Sequence, residues 1–204
     1  MVLAPAIGRG FVHEPKTGGT WWSRLLLGTP GARLIHEQHD PHSVLTEEER
    51  ASVSWFGSVR PPVEWYGSAW EHAMMGDSLQ RRQLAIWGGG STDFRDVLMG
   101  WTSGAVPAEV AHRPGVLWWQ KGACPWVEGE GLWSYARRYF FGDIELVPLS
   151  GARQFAEGLG LDAGSPVLNH RSTRSGGARL PESYIEAYTP AMLAAVERAD
   201  GMAA

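Results

Sequence analysis

Along the chain, short apolar runs alternate with stretches that carry apolar residues every third or fourth position. The run Phe11-Val12-His13 predicts a strand over residues 10–13. A helix over 20–27 follows, with Trp22, Leu25 and Leu26 at helical spacing, and Gly28 and Pro30-Gly31 end it. A second strand fits 33–37, and a polar stretch covers 39–43. Thr46 with three glutamates behind it predicts a helix start, since acids suit a first turn. A third strand fits 53–59 and is stopped by Pro61 and Pro62. The helix predicted over 63–75 carries Val63, Tyr66, Trp70, Ala73 and Met74 as one apolar stripe. Further helices fit 91–99 and 154–159, a strand fits 144–147, and helix starts are expected at Pro181 and at Thr189-Pro190. Residues 107–130 give no clear pattern. Residues 1–8, 76–91 and 170–179 read as flexible, with Gly88-Gly89-Gly90 as a loop or lid. Strands alternating with helices predict an α/β, single-domain, P-loop-like fold over 1–204, with a mostly parallel central sheet flanked by helices.

Composition narrows the class. The 204 residues suit one domain, and 44% hydrophobic content excludes a disordered chain. A net charge of −4 argues against a broad nucleic-acid surface, though not against a local basic pocket. Cys124 is the one cysteine, so no intrachain disulfide forms. No apolar run approaches the roughly 18 residues of a membrane span, and the first ten residues lack the features of a signal peptide. The expectation is a soluble protein, cytoplasmic or otherwise, with oligomeric state undetermined. Eleven tryptophans are mostly packing residues. Trp118, Trp119, Trp126 and Trp133 suit either a core or a surface that stacks on sugar rings.

The chemistry concentrates at Pro15-Lys16-Thr17-Gly18-Gly19-Thr20. A strand running through a glycine loop into a helix turns backbone N–H groups and a helix N-terminus toward one point, which suits a phosphate or sulfate. Lys16 adds a full positive charge. A Walker loop places its lysine after the glycines, whereas Lys16 precedes them, so ATP hydrolysis fits poorly. A plain Gly-Gly turn is the bland reading. A second segment runs from Ser58 to Ser68. Arg60 stands at the end of a strand, where α/β folds bind ligands. Ser68, by helical angle, points nearly opposite the apolar stripe. An arginine fork with a hydroxyl can hold another phosphate. The bland reading is a surface arginine and a mid-helix serine, each common by itself.

Phe11-Val12-His13-Glu14-Pro15-Lys16-Thr17-Gly18-Gly19-Thr20 resembles the 5′-phosphosulfate loop of sulfotransferases that use 3′-phosphoadenosine 5′-phosphosulfate, closer to the carbohydrate sulfotransferases than to the steroid and phenol type. Val59-Arg60-Pro61-Pro62-Val63-Glu64 through Ser68 resembles their 3′-phosphate motif, with arginine and serine eight apart. Weaker echoes lie at 144–149, at Leu168-Asn169 and at 188–200. Glu14, Pro62 and Trp65 depart from the family pattern; Glu14 is expected to point away from the loop or to pair with a base.

The resemblance implies transfer of a sulfuryl group to a hydroxyl of a glycan or small molecule, releasing adenosine 3′,5′-bisphosphate, with no metal required. It implies Lys16 on the bridging oxygen, Thr17, Gly18, Gly19, Thr20 and Trp21 around the 5′-phosphate, Arg60 and Ser68 on the 3′-phosphate, and Arg171, with Ser172 and Arg174, in a loop over the nucleotide. A general base must take the acceptor's proton. His36 is the first candidate, Glu37 the second, and His39 stands beside them. A zinc site from His36, His39 and His42 is disfavoured by Pro41, and His13 reads as structural. A non-catalytic nucleotide-binding protein on the same fold and a P-loop kinase-like enzyme are the alternatives. The kinase would need a Walker lysine and a magnesium carboxylate at a strand end.

Overall fold

The computed structural model describes residues 1–75, 78–107, 126–164, 180–181 and 183–201. It is an α/β protein whose described residues divide into two compact units. The first comprises residues 1–60 and the described part of 137–172. It holds strands β1 (Val2–Ala4), β2 (Arg9–Val12), β3 (Arg33–Leu34), β4 (Ser54–Val59) and β5 (Glu145–Pro148) in the order β3-β1-β2-β4-β5.

The sheet is mixed, not mostly parallel. β2, β4 and β5 pair in parallel, but β1 runs antiparallel to both β2 and β3. The difference comes from the first residues, which are not a flexible lead-in. Val2-Leu3-Ala4 is a buried strand. The turn at Pro5–Ile7, closed by Gly8 at φ 63°, sends the chain back into β2. Three residues are too few to show a period. β3 is shorter than expected, because His36 adopts a left-handed φ of 56° and leaves extended geometry.

Helix α1 (Gly19–Leu27) covers one face of this sheet. Trp22 of α1 lies 6.0 Å from the Phe11 ring and 5.0 Å from the Phe56 ring, and Phe155 packs 5.1 Å from Phe56. Phe11, Trp22 and Phe56 are fully buried, and burying such a side chain contributes about 1.5–3 kcal/mol through lost water contact. On the other face, Gly57 leaves room for the Phe141 ring, which an added Cβ would overlap. The short helix α2 (Glu47–Ser52) starts as expected. Thr46 accepts from the Glu49 N–H and donates its own N–H to the Glu49 carboxylate, satisfying two orphan donors of the first turn.

The second unit comprises the described residues of 61–136 and 173–204. It contains α3 (Pro62–Met75), α4 (Ser78–Trp87), α5 (Phe94–Trp101), the first turn of α6 (Leu132–Phe141), and α8 (Pro190–Asp200); α7 (Ala152–Gly158) belongs to the first unit. Residues 78–87, expected to be flexible, are helical. α5 starts at Phe94 because Asp93 caps it by accepting from the Arg95 N–H. Thr189 caps α8 as expected, with Pro190 in its first turn. Pro181 starts no helix; a single 3-10 turn forms at Tyr184–Ala187. α6 was not anticipated, although Leu132, Tyr135, Ala136, Tyr139 and Phe140 follow the helical period. α3 is buried around more of its circumference than one stripe. Trp65, Gly67, Ser68 and Glu71 are buried with Tyr66 and Trp70. Gly67 admits the Tyr184 ring, and Glu71 accepts from the Leu180 N–H and the Tyr184 hydroxyl. Among the described residues no helix is long and apolar enough to cross a membrane.

Candidate functional site

Parallel pairing puts the ends of β2, β4 and β5 on one edge of the sheet, and the candidate residues of the first unit gather there. β2 delivers the chain into the loop 13–18. The Thr17 hydroxyl donates to the Glu14 carbonyl at 2.8 Å and closes the loop. Lys16 stands at φ 70° and Gly18 at φ 81°. Glycine tolerates that conformation, whereas for lysine it costs roughly 1–2 kcal/mol. Gly18 then starts α1, its carbonyl accepting from the N–H groups of Trp21 and Trp22 at 3.0 and 3.2 Å. The first N–H groups of α1 have no partner within the helix, and no acid stands in its first turn. This end of the helix carries the positive pole of the dipole.

The walls of this loop come from its neighbours on the sheet. The His13 ring lies directly against Gly19, where an added Cβ would overlap it. A Cβ on Gly18 would come within 2.7 Å of Leu149, just beyond β5. His13 is buried, and burial first, with His39 nearby, pushes its pKa down to about 3. It is therefore neutral. Its Nδ1 accepts from the Gln38 amide at 3.1 Å. The His39 Nδ1 donates to the His13 carbonyl at 3.3 Å, and the two rings meet edge-on at 4.7 Å. Glu14 is fully buried, and Arg60 is buried at the end of β4.

Of the residues expected from sequence, Lys16, Thr17, Gly18, Gly19, Thr20 and Trp21 form one continuous turn into α1. Thr17's hydroxyl is committed to Glu14, so its N–H is what it can offer a ligand. Thr20 is exposed; Trp21 is partly buried against the Trp22 ring at 4.6 Å. Arg60 shares the loop's sheet edge. Ser68, expected to point away from the apolar stripe, is buried on α3 in the second unit. Arg171, Ser172, Arg174, Asn169, Trp118 and Trp119 lie outside the described residues.

The segment 36–40 reaches the same edge, because β3 lies across β1 from β2. His36 points its Nε2 at both carboxylate oxygens of Glu49, 3.1 Å from each. That hydrogen bond and, first, the one from the Thr46 N–H hold the Glu49 carboxyl below its usual range. Glu37 is exposed, and its N–H donates to Asp40. His39, ranked behind both, touches the loop at the His13 carbonyl and ring. Among the described residues no three His, Cys, Asp or Glu side chains are grouped to hold a metal ion: His36 goes to Glu49, His39 to His13, and His42 stands edge-on to Trp55.

His13 read as structural, and it is buried with its ring against Gly19. One polar residue of this edge was given no role from the sequence. Ser58 is fully buried on β4, two residues before Arg60, and its hydroxyl makes no hydrogen bond among the described residues. A serine inside Trp55-Phe56-Gly57-Ser58-Val59, in register with the motif arginine, was the available signal. No protein-family model, curated protein or solved structure matches the chain.

Proposed function

We propose that the chain transfers a sulfuryl group from 3′-phosphoadenosine 5′-phosphosulfate to a hydroxyl of a glycan or small molecule, on a P-loop-like arrangement of β2, its loop and α1. The observation that carries this reading is the position of Lys16, in a left-handed turn between β2 and α1, at the sheet edge where the neighbouring parallel strand β4 leads into Arg60. A donor with separate 5′ and 3′ anionic groups uses both cations; a single phosphate does not.

The chemistry asked of these residues is alignment and charge neutralisation. The acceptor oxygen attacks sulfur, and the bond from sulfur to the bridging oxygen breaks. Adenosine 3′,5′-bisphosphate leaves with the electron pair. Lys16 meets the charge that grows on the bridging oxygen. The N–H groups of Thr17, Gly18, Gly19 and Thr20 bind the 5′-phosphate, and Trp21 flanks it. Arg60 binds the 3′-phosphate, and the resemblance alone adds Ser68 and Arg171. For the acceptor's proton the resemblance alone names His36, which Glu49 holds, with Glu37 second; the 36–40 segment that carries both brings His39 against the loop.

Calorimetric titration with adenosine 3′,5′-bisphosphate, followed by an acceptor screen with labelled donor, tests the proposal. Binding with transfer is expected, and Lys16→Ala is expected to abolish transfer while keeping much of the nucleotide affinity. Absence of nucleotide binding would sink the reading. Binding without transfer to any acceptor would leave a nucleotide-binding protein.

A further inference from the structure

We infer that Ser58 is a ligand for the oxyanion bound at the N-terminus of α1, donating its hydroxyl from the strand beneath the loop. The inference deepens the proposed function and rests on it for the identity of the donor, but not for the presence of an anion.

Three observations place the hydroxyl. First, side chains alternate along a strand, so Ser58 shares a face with Phe56. Phe56 packs on Trp22, so this is the face that α1 covers. Second, Ser58 is in register with Val147 of β5, which belongs to the same buried cluster as Trp22 and Phe56. Third, residues carried by the strands on either side of β4 reach the start of α1. On β2, one step past the paired Val12 and Gly57, His13 lies against Gly19. On the β5 side, Leu149, two past Val147, lies against Gly18. Ser58 sits on the strand between these two supports, under the first residues of the nine-residue helix α1.

Its chemistry is unexplained by the fold. Ser58 is 0% exposed, and its Oγ has no hydrogen-bond partner among the described residues. Burying a hydroxyl without a partner is unfavourable, and alanine would fill the same place without that cost. The hydroxyl gains a partner when an acceptor is bound above it. A sulfate or phosphate oxygen at the positive end of α1 is such an acceptor. A neutral donor also suits this position, because it adds a hydrogen bond without competing with Lys16 for counter-charge.

The test titrates wild type, Ser58→Ala and the near-isosteric Ser58→Cys with two probes, adenosine 3′,5′-bisphosphate and inorganic sulfate, and records thermal unfolding without ligand. Expected is a tenfold to hundredfold loss of affinity for both probes in Ser58→Ala, on the order of one hydrogen bond to a charged group. A smaller loss is expected in Ser58→Cys, with unfolding temperatures at or above wild type. Nucleotide affinity unchanged in both variants overturns the inference and leaves the proposed function standing. Sulfate binding that depends on Ser58, with no nucleotide binding, keeps the inference and overturns the proposed function. Wild type that binds neither probe overturns both.

Discussion

Gly19 lies so close against the His13 ring that a Cβ added there would overlap its Cδ2 and Nε2. The ring cannot retreat, because it is buried, held at Nδ1 by Gln38, and packed against His39 and Phe11. The second glycine of the loop is therefore required by packing, whatever ligand binds. Gly19→Ala is expected to cost roughly 1–3 kcal/mol of stability, as overpacking does, and to weaken anion binding by shifting the first turn of α1. Urea unfolding and calorimetry with adenosine 3′,5′-bisphosphate check the two effects; an alanine variant as stable as wild type would contradict the packing described.

Lys16 separates stability from function in the opposite sense. Its φ of 70° is strained for a side-chain-bearing residue and relaxed for glycine. Lys16→Gly is expected to fold with stability equal to wild type or about 1 kcal/mol greater, after the entropy lost by the unfolded glycine is allowed for. Transfer is expected to fall by at least about a hundredfold, the scale of losing one group that stabilises developing charge. Chemical denaturation and single-turnover transfer from labelled donor measure both. A large loss of stability would mean that the lysine side chain, and not strain at its backbone, decides the energetics of the turn.

His13 gives the site a pH signature. In the unfolded chain a histidine titrates near its ordinary value of about 6.5, whereas burial holds His13 neutral in the folded chain down to about 3. Between these values the unfolded state binds the extra proton, so stability falls as the pH falls from 6.5 toward 3, with a limiting slope of about 1.4 kcal/mol per pH unit from this group. Above pH 6.5 the contribution is complete and flat. His13→Gln is expected to flatten that limb of the stability profile, measured by urea unfolding at pH 4, 5, 6 and 7. An unchanged slope would show that His13 takes up its proton in the folded state.

Many strands and helices were legible because each carries a strong local signal: the run at 11–13, the Pro-Pro stop after β4, and the capping threonines at 46 and 189. The grouping of Lys16, the two glycines and Arg60 at one end of the parallel strands was legible for the same reason, since it follows from the order of strand, loop and helix. What was not legible depends on contacts between distant residues. Val2–Ala4 is a strand because β2 and β3 flank it, and nothing in three residues announces that. His39 reaches the loop and His36 does not, because His36 turns through a left-handed φ toward Glu49. Ser68 is buried, and Gly67 beside it admits the Tyr184 ring onto α3, a relation across more than a hundred residues that no local pattern announces.

The second unit offers a test of its own stability. The Tyr66 hydroxyl donates to Asp200 at 2.6 Å and accepts from the Trp133 N–H at 3.1 Å, while the other Asp200 oxygen accepts from the Ser134 N–H at 2.9 Å. Together the two side chains satisfy two of the orphan donors in the first turn of α6, using groups from α3 and α8. Gly131 has no side chain for the same reason, since a Cβ there would meet the carboxylate at 2.5 Å. Burial raises the Asp200 pKa and, first among several causes, the Tyr66 pKa, so both are desolvated and depend on each other. Tyr66→Phe leaves a carboxylate oxygen and an N–H without partners, and is expected to cost about 1–3 kcal/mol. Asp200→Ala is expected to cost at least as much. Because each variant breaks the same network, the double variant should be less destabilised than the sum, by a coupling of roughly 0.5–3 kcal/mol. A double-mutant cycle by chemical denaturation reads that coupling directly, and strictly additive costs would mean that Asp200 holds α6 without help from Tyr66.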